Sequence, residues 1–361
     1  MAEFDAVVFG AGISGLSISH SLIRQGQKVL LIDPYKTDLD SYLAPAGLVN
    51  VSAGMRAKLS WRGVECYQMF KKRIAELEKS SGRDDLFRES GVLRPAVTDK
   101  LAENFKQSPQ RYDWPEGWIK WLDAEKTHAL NPVVNAQNGA LYLQMGMTVF
   151  VDNYLSEYRK ELEKEGLVFL GEQAHYQRRS SEFQITSRTG RVAGSDRVVV
   201  AAGDGLAGFA DWKKLPLQYV KGELVLFESD SDLSWDHAIS AKGYLLRRGD
   251  RLVIAGATYD HHFKNLNTTS EAYDEIREKL GLMVPELTGK LTKRAQFAGV
   301  RVTTPDHKPV IGPHDEVEGL YIYTAMGSKG LLYSEYLASL LADNMVNGEQ
   351  IPQQVDVQRF Q

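Results

Sequence analysis

The sequence predicts an α/β part joined to an α+β part, on three observations. Apolar runs flank a glycine turn at residues 5–33, strand and helix patterns alternate again near 147–210, and a strand, turn and helix close the chain at 319–341. Between the last two, residues 215–260 read as strands.

"DAVVF" is a short apolar run without helical period, which suits a parallel strand covered on both faces. "GAGISG" follows, then a helical run carrying Leu16, Ile18, Leu22 and Ile23 to a stop at Gly26, and "KVLLID" repeats the buried-strand pattern. The three glycines of the turn act differently. Gly10 permits the tight turn, Gly12 lets a pyrophosphate reach the backbone, and Gly15 lets helix and strand approach. The helix start at Ile13 and Ser14 offers backbone N–H groups to phosphate oxygens. Asp33 ends the second strand, where a carboxylate accepts a bond from a ribose 2′-hydroxyl. The motif serves FAD and NAD alike, because both carry adenosine with a free 2′-hydroxyl. It predicts a Rossmann-like dinucleotide-binding domain.

Farther on, "SWRGVECYQMFKKRIAEL" predicts a helix holding Cys66, residues 85–145 look irregular, and 147–166 predict an amphipathic helix stopped by Gly166. "LVFLG" and "DRVVVAAGDG" predict strands, as do "LQYVKGELVLFES", "GYLLRRGD" and "RLVIAGATYD"; "SEAYDEIREKLGLM" predicts a helix. "GLYIYTAMG" predicts one more buried strand before the closing helix. The simplest assembly is a discontinuous nucleotide-binding domain of residues 1–84, 146–212 and 297–361, with a mixed-sheet second domain of 85–145 and 213–296.

The composition, 43% hydrophobic and 25% charged over 361 residues, is that of a globular protein. A formal net charge of −4 gives no overall basic field for nucleic acid. The single cysteine excludes an intramolecular disulfide and a cysteine-rich metal site, and His261 and His262 have no third ligand at a sensible spacing. The first residues lack a signal-peptide pattern, and no window reaches the ~18–20 apolar residues of a membrane span. The expectation is a cytoplasmic protein.

The ordered set "VVFGAGISGLSISHSLIRQGQKVLLID", "APAGLV", "GMTVFVDNYLSEY", "VVVAAGDGL", "KGYLLRRGDRLVIAGAT", "GVRVTTPDHKPVIG" and "AMGSKGL" resembles the FAD-dependent amino-acid oxidase superfamily, which includes D-amino-acid, glycine and sarcosine oxidases. The likeness spans almost the whole chain. Its C-terminal motifs most resemble the FAD oxidoreductase half of the bifunctional enzyme that completes 5-methylaminomethyl-2-thiouridine in tRNA; the methyltransferase half of that enzyme has no counterpart in this sequence. The resemblance implies FAD, held non-covalently because no cysteine lies near the C-terminal flavin segments. It gives the second helix start a purpose. Backbone N–H groups of Gly327, Ser328, Lys329, Gly330 and Leu331 would face the flavin N1 and C2 carbonyl, where reduction places negative charge. The competing reading is a plain tight connection.

The resemblance also implies that Ala46, Gly47 and Leu48 lie along the isoalloxazine edge, and Ala202 and Gly203 near the pyrophosphate or ribose. Asp204 departs from the aromatic residue often found after that glycine. Arg301 matches the arginine that grips the substrate carboxylate, Tyr244 matches a tyrosine that assists it, and Lys329 would add positive charge beside the flavin. The plain alternatives are a strand-end arginine, a packed tyrosine and an outward lysine. The implied reaction is oxidation of a C–N bond in an amino acid or secondary amine bearing a carboxylate. One alternative is removal of a carboxymethyl group from a tRNA wobble uridine, which net acidity and the missing methyltransferase half weigh against. Another is a redox-silent FAD-binding protein.

Overall fold

The computed structural model describes residues 2–34 and 46–360. Ala44 and Pro45 of the expected flavin-edge segment fall outside these. Two of the five sheets among the described residues organise the fold.

The first has six strands in the order Val168–Leu170, Val29–Ile32, Ala6–Phe9, Val198–Val200, Leu320–Thr324 and Val310–Pro313. All neighbours are parallel except the last pair. Ala6–Phe9, Val29–Ile32 and Val198–Val200 are buried at every position, which is why they read as unbroken apolar runs. The helices Ile13–Arg24, Gly63–Ser81, Val151–Lys164 and Gly330–Asn347 pack together beside this sheet. Their apolar stripes, including Leu16, Leu22, Phe70, Leu162 and Leu337, enter one buried core with Val8 and Leu31. Cys66 is buried there, and burial raises its thiol pKa, so it stays a packed, protonated side chain.

The second sheet has eight strands: Leu291–Thr303, Gln218–Ser229, Leu252–Gly256, Tyr244–Arg247, Ala238–Ser240, Val92–Pro95, Ala140–Leu143 and Ile119–Leu122. Ile276, Leu280 and Met283 of the helix Ser270–Met283 join its buried residues Val225, Leu245 and Val253 in one core. Residues 85–145, irregular by sequence, supply three of these strands. Each has only four residues, too short for a legible period.

The expected helix over 147–166 begins later. Gly146–Val149 is a buried strand paired antiparallel with Gly47–Asn50, and the helix is Val151–Lys164. Strand pairing outweighs local helical periodicity there, since Met147 and Val149 are buried at the join.

Candidate functional site: two converging helix starts and an arginine strand

In the first turn, Gly10 adopts φ +103°, in the left-handed region, and an added Cβ would lie 2.5 Å from the Ala201 carbonyl oxygen. A Cβ on Gly15 would sit 1.7 Å from the Gly10 carbonyl oxygen, so helix and turn touch backbone to backbone. Around Gly12 a Cβ would meet nothing within 4 Å among the described residues, its chain neighbours aside. Gly12 caps the helix without a side-chain bond, and no acidic residue occupies the first turn beginning at Ile13 and Ser14. Asp33 Oδ2 accepts the Ala11 N–H at 2.7 Å, so this carboxylate also braces the glycine turn.

The second helix start meets the first. After Thr324 the chain turns through Ala325 (φ +60°) and Gly327 (φ +56°), and Gly327 N–H donates to Val302 O at 2.9 Å. A Cβ on Gly330 would lie 3.6 Å from Ile13 Cγ2, so the N-termini of the two helices converge. Lys329 stands at the N-cap without a side-chain capping bond, and the first turn again lacks acids. Its Nζ donates inward to Asn50 O at 2.9 Å. Burial, helped by the positive charge of Arg94, pushes its pKa down to about 8. Ser328 is exposed. Leu331 covers Gly47, where a Cβ would lie 2.5 Å from Leu331 Cδ1; Leu48 follows in the same strand, and Ala46 is buried just before it. Ala202 caps a short turn of helix starting at Gly203, whose φ is +55° and which has open space where a Cβ would stand.

Arg301 comes from the second sheet, paired opposite Val220. Its guanidinium lies flat over Gly222, where a Cβ would fall 2.1 Å from Nη1. Nη1 donates to Thr258 O at 3.1 Å, and the group stacks 4.7 Å from the Tyr259 ring centroid. Among the described residues Arg301 has no carboxylate partner. Tyr244 lies against Gly256, opposite it in the neighbouring strand, with its hydroxyl 2.9 Å from where a Gly256 Cβ would be. Burial raises its phenol to about 12, against an opposing effect of Arg301, so at neutral pH it is a hydrogen-bond donor.

Three residues escape sequence reasoning. Tyr259 is 59% exposed although aromatic, and its only sequence signal is its place after "GAT". Arg94 is buried inside an apolar strand, where an arginine is itself a signal. Glu335 is a buried acid in the apolar stretch of the last helix. It accepts Ser17 Oγ at 2.8 Å, Tyr158 OH at 3.0 Å and Tyr154 OH at 3.3 Å, joining three helices behind the two converging N-termini. Burial, then the Glu335 charge, holds both phenols well above their ordinary pKa, so they remain donors. Glu335→Ala leaves three buried donors without an acceptor. The expected loss is about 3 kcal/mol in urea unfolding, and an unchanged midpoint would remove the network from the stability account.

These residues fit a flavin dinucleotide. Two uncapped helix starts meet, a space open at Gly12 flanks one, and a part-buried lysine flanks the other. When bound through them, FAD would have its pyrophosphate at Gly12–Gly15 and its ring near 327–331 and 46–48.

Comparison with known proteins agrees in extent. The family described as DAO, FAD dependent oxidoreductase, matches residues 5–344. The tRNA 5-methylaminomethyl-2-thiouridine biosynthesis bifunctional protein MnmC of Idiomarina loihiensis is 25% identical over 367 residues, covering 98% of this chain and 57% of that protein. The chain thus spans little more than half of that relative. Glycine oxidase of Pseudomonas aeruginosa is 26% identical over 363 residues, covering 96% and 95%. In structure, glycine oxidase from Geobacillus kaustophilus superposes with a TM-score of 0.81 at 19% identity, over 100% of this chain and 98% of that one. With its mixed α/β architecture, its Rossmann-like glycine turn and a family match over nearly its whole length, the chain belongs to the DAO family of FAD-dependent oxidoreductases.

Proposed function

We propose that this enzyme oxidises the C–N bond of an amino acid or secondary amine that carries a carboxylate. The observation that carries the reading is Arg301, an arginine with no acidic partner among the described residues, laid on a glycine beside a protonated tyrosine. Guanidinium binds carboxylate through two parallel bonds and keeps its charge at any working pH. Arg301 would anchor the substrate carboxylate, and Tyr244 would donate a second bond. Gly222 keeps the floor free of side chain, and Tyr259 covers one face of the guanidinium. When bound, FAD would supply the hydride acceptor that the oxidation of the substrate carbon requires. Orientation is then the protein's main contribution, with no side-chain base assigned. Cofactor binding is assigned to residues 1–84, 146–212 and 297–361 and substrate binding to 85–145 and 213–296, with Arg301 reaching in from a strand of the larger sheet.

The carboxymethylated wobble uridine of tRNA is an alternative substrate, since its amine also ends in a carboxylate. The likeness to the tRNA-modifying bifunctional relative favours it. Two short basic runs, "KKR" at 71–73 and "RRGDR" at 247–251, do not supply phosphate contacts readily. Arg247 pairs with Asp236 and Asp250, Arg248 with Asp152, Arg251 with Glu228, Lys71 with Glu89, Lys72 with Glu76 and Arg73 with Glu161. Among the described residues no helix is long and apolar enough to cross a membrane, and a cytoplasmic site of action is part of the proposal.

Anaerobic addition of amino acids and N-alkyl glycines to the yellow protein tests the reading. Bleaching by one of them supports it. A band that only modified tRNA bleaches would transfer the activity to RNA, and one that nothing bleaches would favour a redox-silent role. Tyr244→Phe is expected to raise KM about tenfold with little change in kcat, the effect of one lost hydrogen bond to a charged group. With a phenol near 12, the wild-type pH profile of kcat/KM should show no Tyr244 ionisation below about pH 11.

A further inference from the structure

Two oppositely charged residues flank the glycine under Arg301. Lys221 and Glu223 stand on either side of Gly222 in the strand Gln218–Ser229, and both are buried, at 3% and 2% exposed. Alternation along a strand sends their side chains to the face opposite the one where Arg301 lies on Gly222. There Lys221 Nζ meets Glu223 Oε1 at 2.9 Å and donates to Asn267 O at 2.5 Å. Glu223 also accepts the Thr269 N–H at 3.0 Å, the Thr269 hydroxyl at 3.2 Å and the Gln296 amide at 2.7 Å.

Glu223 is ionised at neutral pH. Burial opposes its charge, but the bonds from Lys221, Thr269 and Gln296 outweigh that and hold its carboxyl below the usual glutamate range. Its backbone also leads straight to Arg301. Thr258 N–H donates to Glu223 O at 3.2 Å, and Thr258 O accepts Arg301 Nη1 at 3.1 Å. Main-chain bonds between Lys221 and Asp260, one in each direction at 2.9 Å, hold the segment that carries Tyr259 without any charge. The ion pair is therefore not needed to fasten that segment beside Arg301. Its distinct effect is electrostatic: Lys221 cancels a carboxylate in the residue next to the one on which Arg301 rests.

We propose that Lys221 is a positioning residue for substrate binding: by neutralising Glu223 it leaves the charge of Arg301 free for the substrate carboxylate. Uncompensated, Glu223 would repel that carboxylate and draw the guanidinium toward itself across the strand. Both effects weaken an anion and spare a neutral ligand of the same shape. The proposal rests on the carboxylate-binding reading of Arg301 and deepens it, since it accounts for an arginine that holds an external anion although its own strand neighbour carries an acid.

The test titrates the FAD-loaded protein with acetate and propionate, and with acetamide and propionamide as neutral matches, following the flavin spectrum. Lys221→Met is measured at about pH 8.5 and Glu223→Gln at about pH 6.5, so that the remaining member of the pair keeps its charge. Wild type and the double variant Lys221→Met/Glu223→Gln are measured at both. Lys221→Met is expected to bind the carboxylates at least about tenfold more weakly, the order of one uncompensated charge in a part-buried site. Glu223→Gln should bind them several-fold more tightly, and the double variant should return to wild type. Amide affinities should not move in any of the three. A pair that only holds the fold would behave otherwise: both single variants would weaken carboxylate and amide alike, and the double variant would not recover. That result overturns the proposal, as do unchanged carboxylate affinities. If Lys221→Met does not fold, the sign of the Glu223→Gln shift decides, tighter binding supporting the proposal and equal or weaker binding overturning it. A yellow wild type whose spectrum responds to no carboxylate, with Arg301→Ala indistinguishable from it, would sink the carboxylate reading of Arg301 and this proposal with it.

Discussion

Replacing Arg301 with alanine should lower kcat/KM for a carboxylate-bearing amine by about 10²–10³-fold, or about 3–4 kcal/mol, within the cost of removing one partner of a desolvated charge pair. Most of the loss should appear in KM. Part should appear in kcat, because a substrate held at one end only is no longer oriented over the ring. Arg301→Lys keeps the charge but not the planar fork and should fall between. The protein side of the site should tolerate the change. Among the described residues Arg301 makes one hydrogen bond, to a carbonyl, and stacks on an exposed tyrosine, so its removal leaves none of their acids buried and unpaired. Binding of an unreactive carboxylate, followed by its perturbation of the flavin spectrum, separates affinity from catalysis. Undiminished binding would remove Arg301 from the carboxylate site.

Gly15→Ala should abolish FAD retention and cost about 3 kcal/mol of stability, at the upper end for an overpacked position. The added methyl has nowhere to go: its carbon would stand 1.7 Å from the Gly10 carbonyl oxygen, a backbone atom that cannot rotate away. Helix and turn must separate, and the N–H groups that would hold the pyrophosphate move with them. Gly12→Ala gives the matched contrast. Among the described residues nothing beyond its chain neighbours lies within 4 Å of an added Cβ, so the apoprotein should unfold as wild type does while affinity for FAD falls. Chemical denaturation of the apo forms and FAD titration check both halves. Equal effects of the two substitutions would mean that the turn does not distinguish packing from ligand contact.

Much of the cofactor end was legible because it is local. The strand Ala6–Phe9, the turn and the helix Ile13–Arg24 are contiguous, and Gly10, by its positive φ, and Gly15, by its contact with the Gly10 carbonyl, are required by backbone geometry. The closing turn before Gly330–Asn347 was legible for the same reason. Residues 85–145 were not. Their strands have four residues, and what makes them strands is pairing with Ala238–Ser240 and with one another. Strand Gly146–Val149 was hidden inside a helical period for the same cause: its partner, Gly47–Asn50, lies far away in the chain.

The sequence by itself determined the family, the glycine turn and the residue types of the proposed carboxylate clamp, because these depend on short-range backbone sterics and side-chain chemistry. Only the tertiary structure decided which charges stand together. It turned Lys329 inward to Asn50, brought Arg94 from the other sheet to the same segment, set Tyr259 on Arg301 and placed Glu335 behind both helix starts. Hydrogen bonds and fields act across a few ångströms of space, and a linear sequence does not record which distant residues share that space.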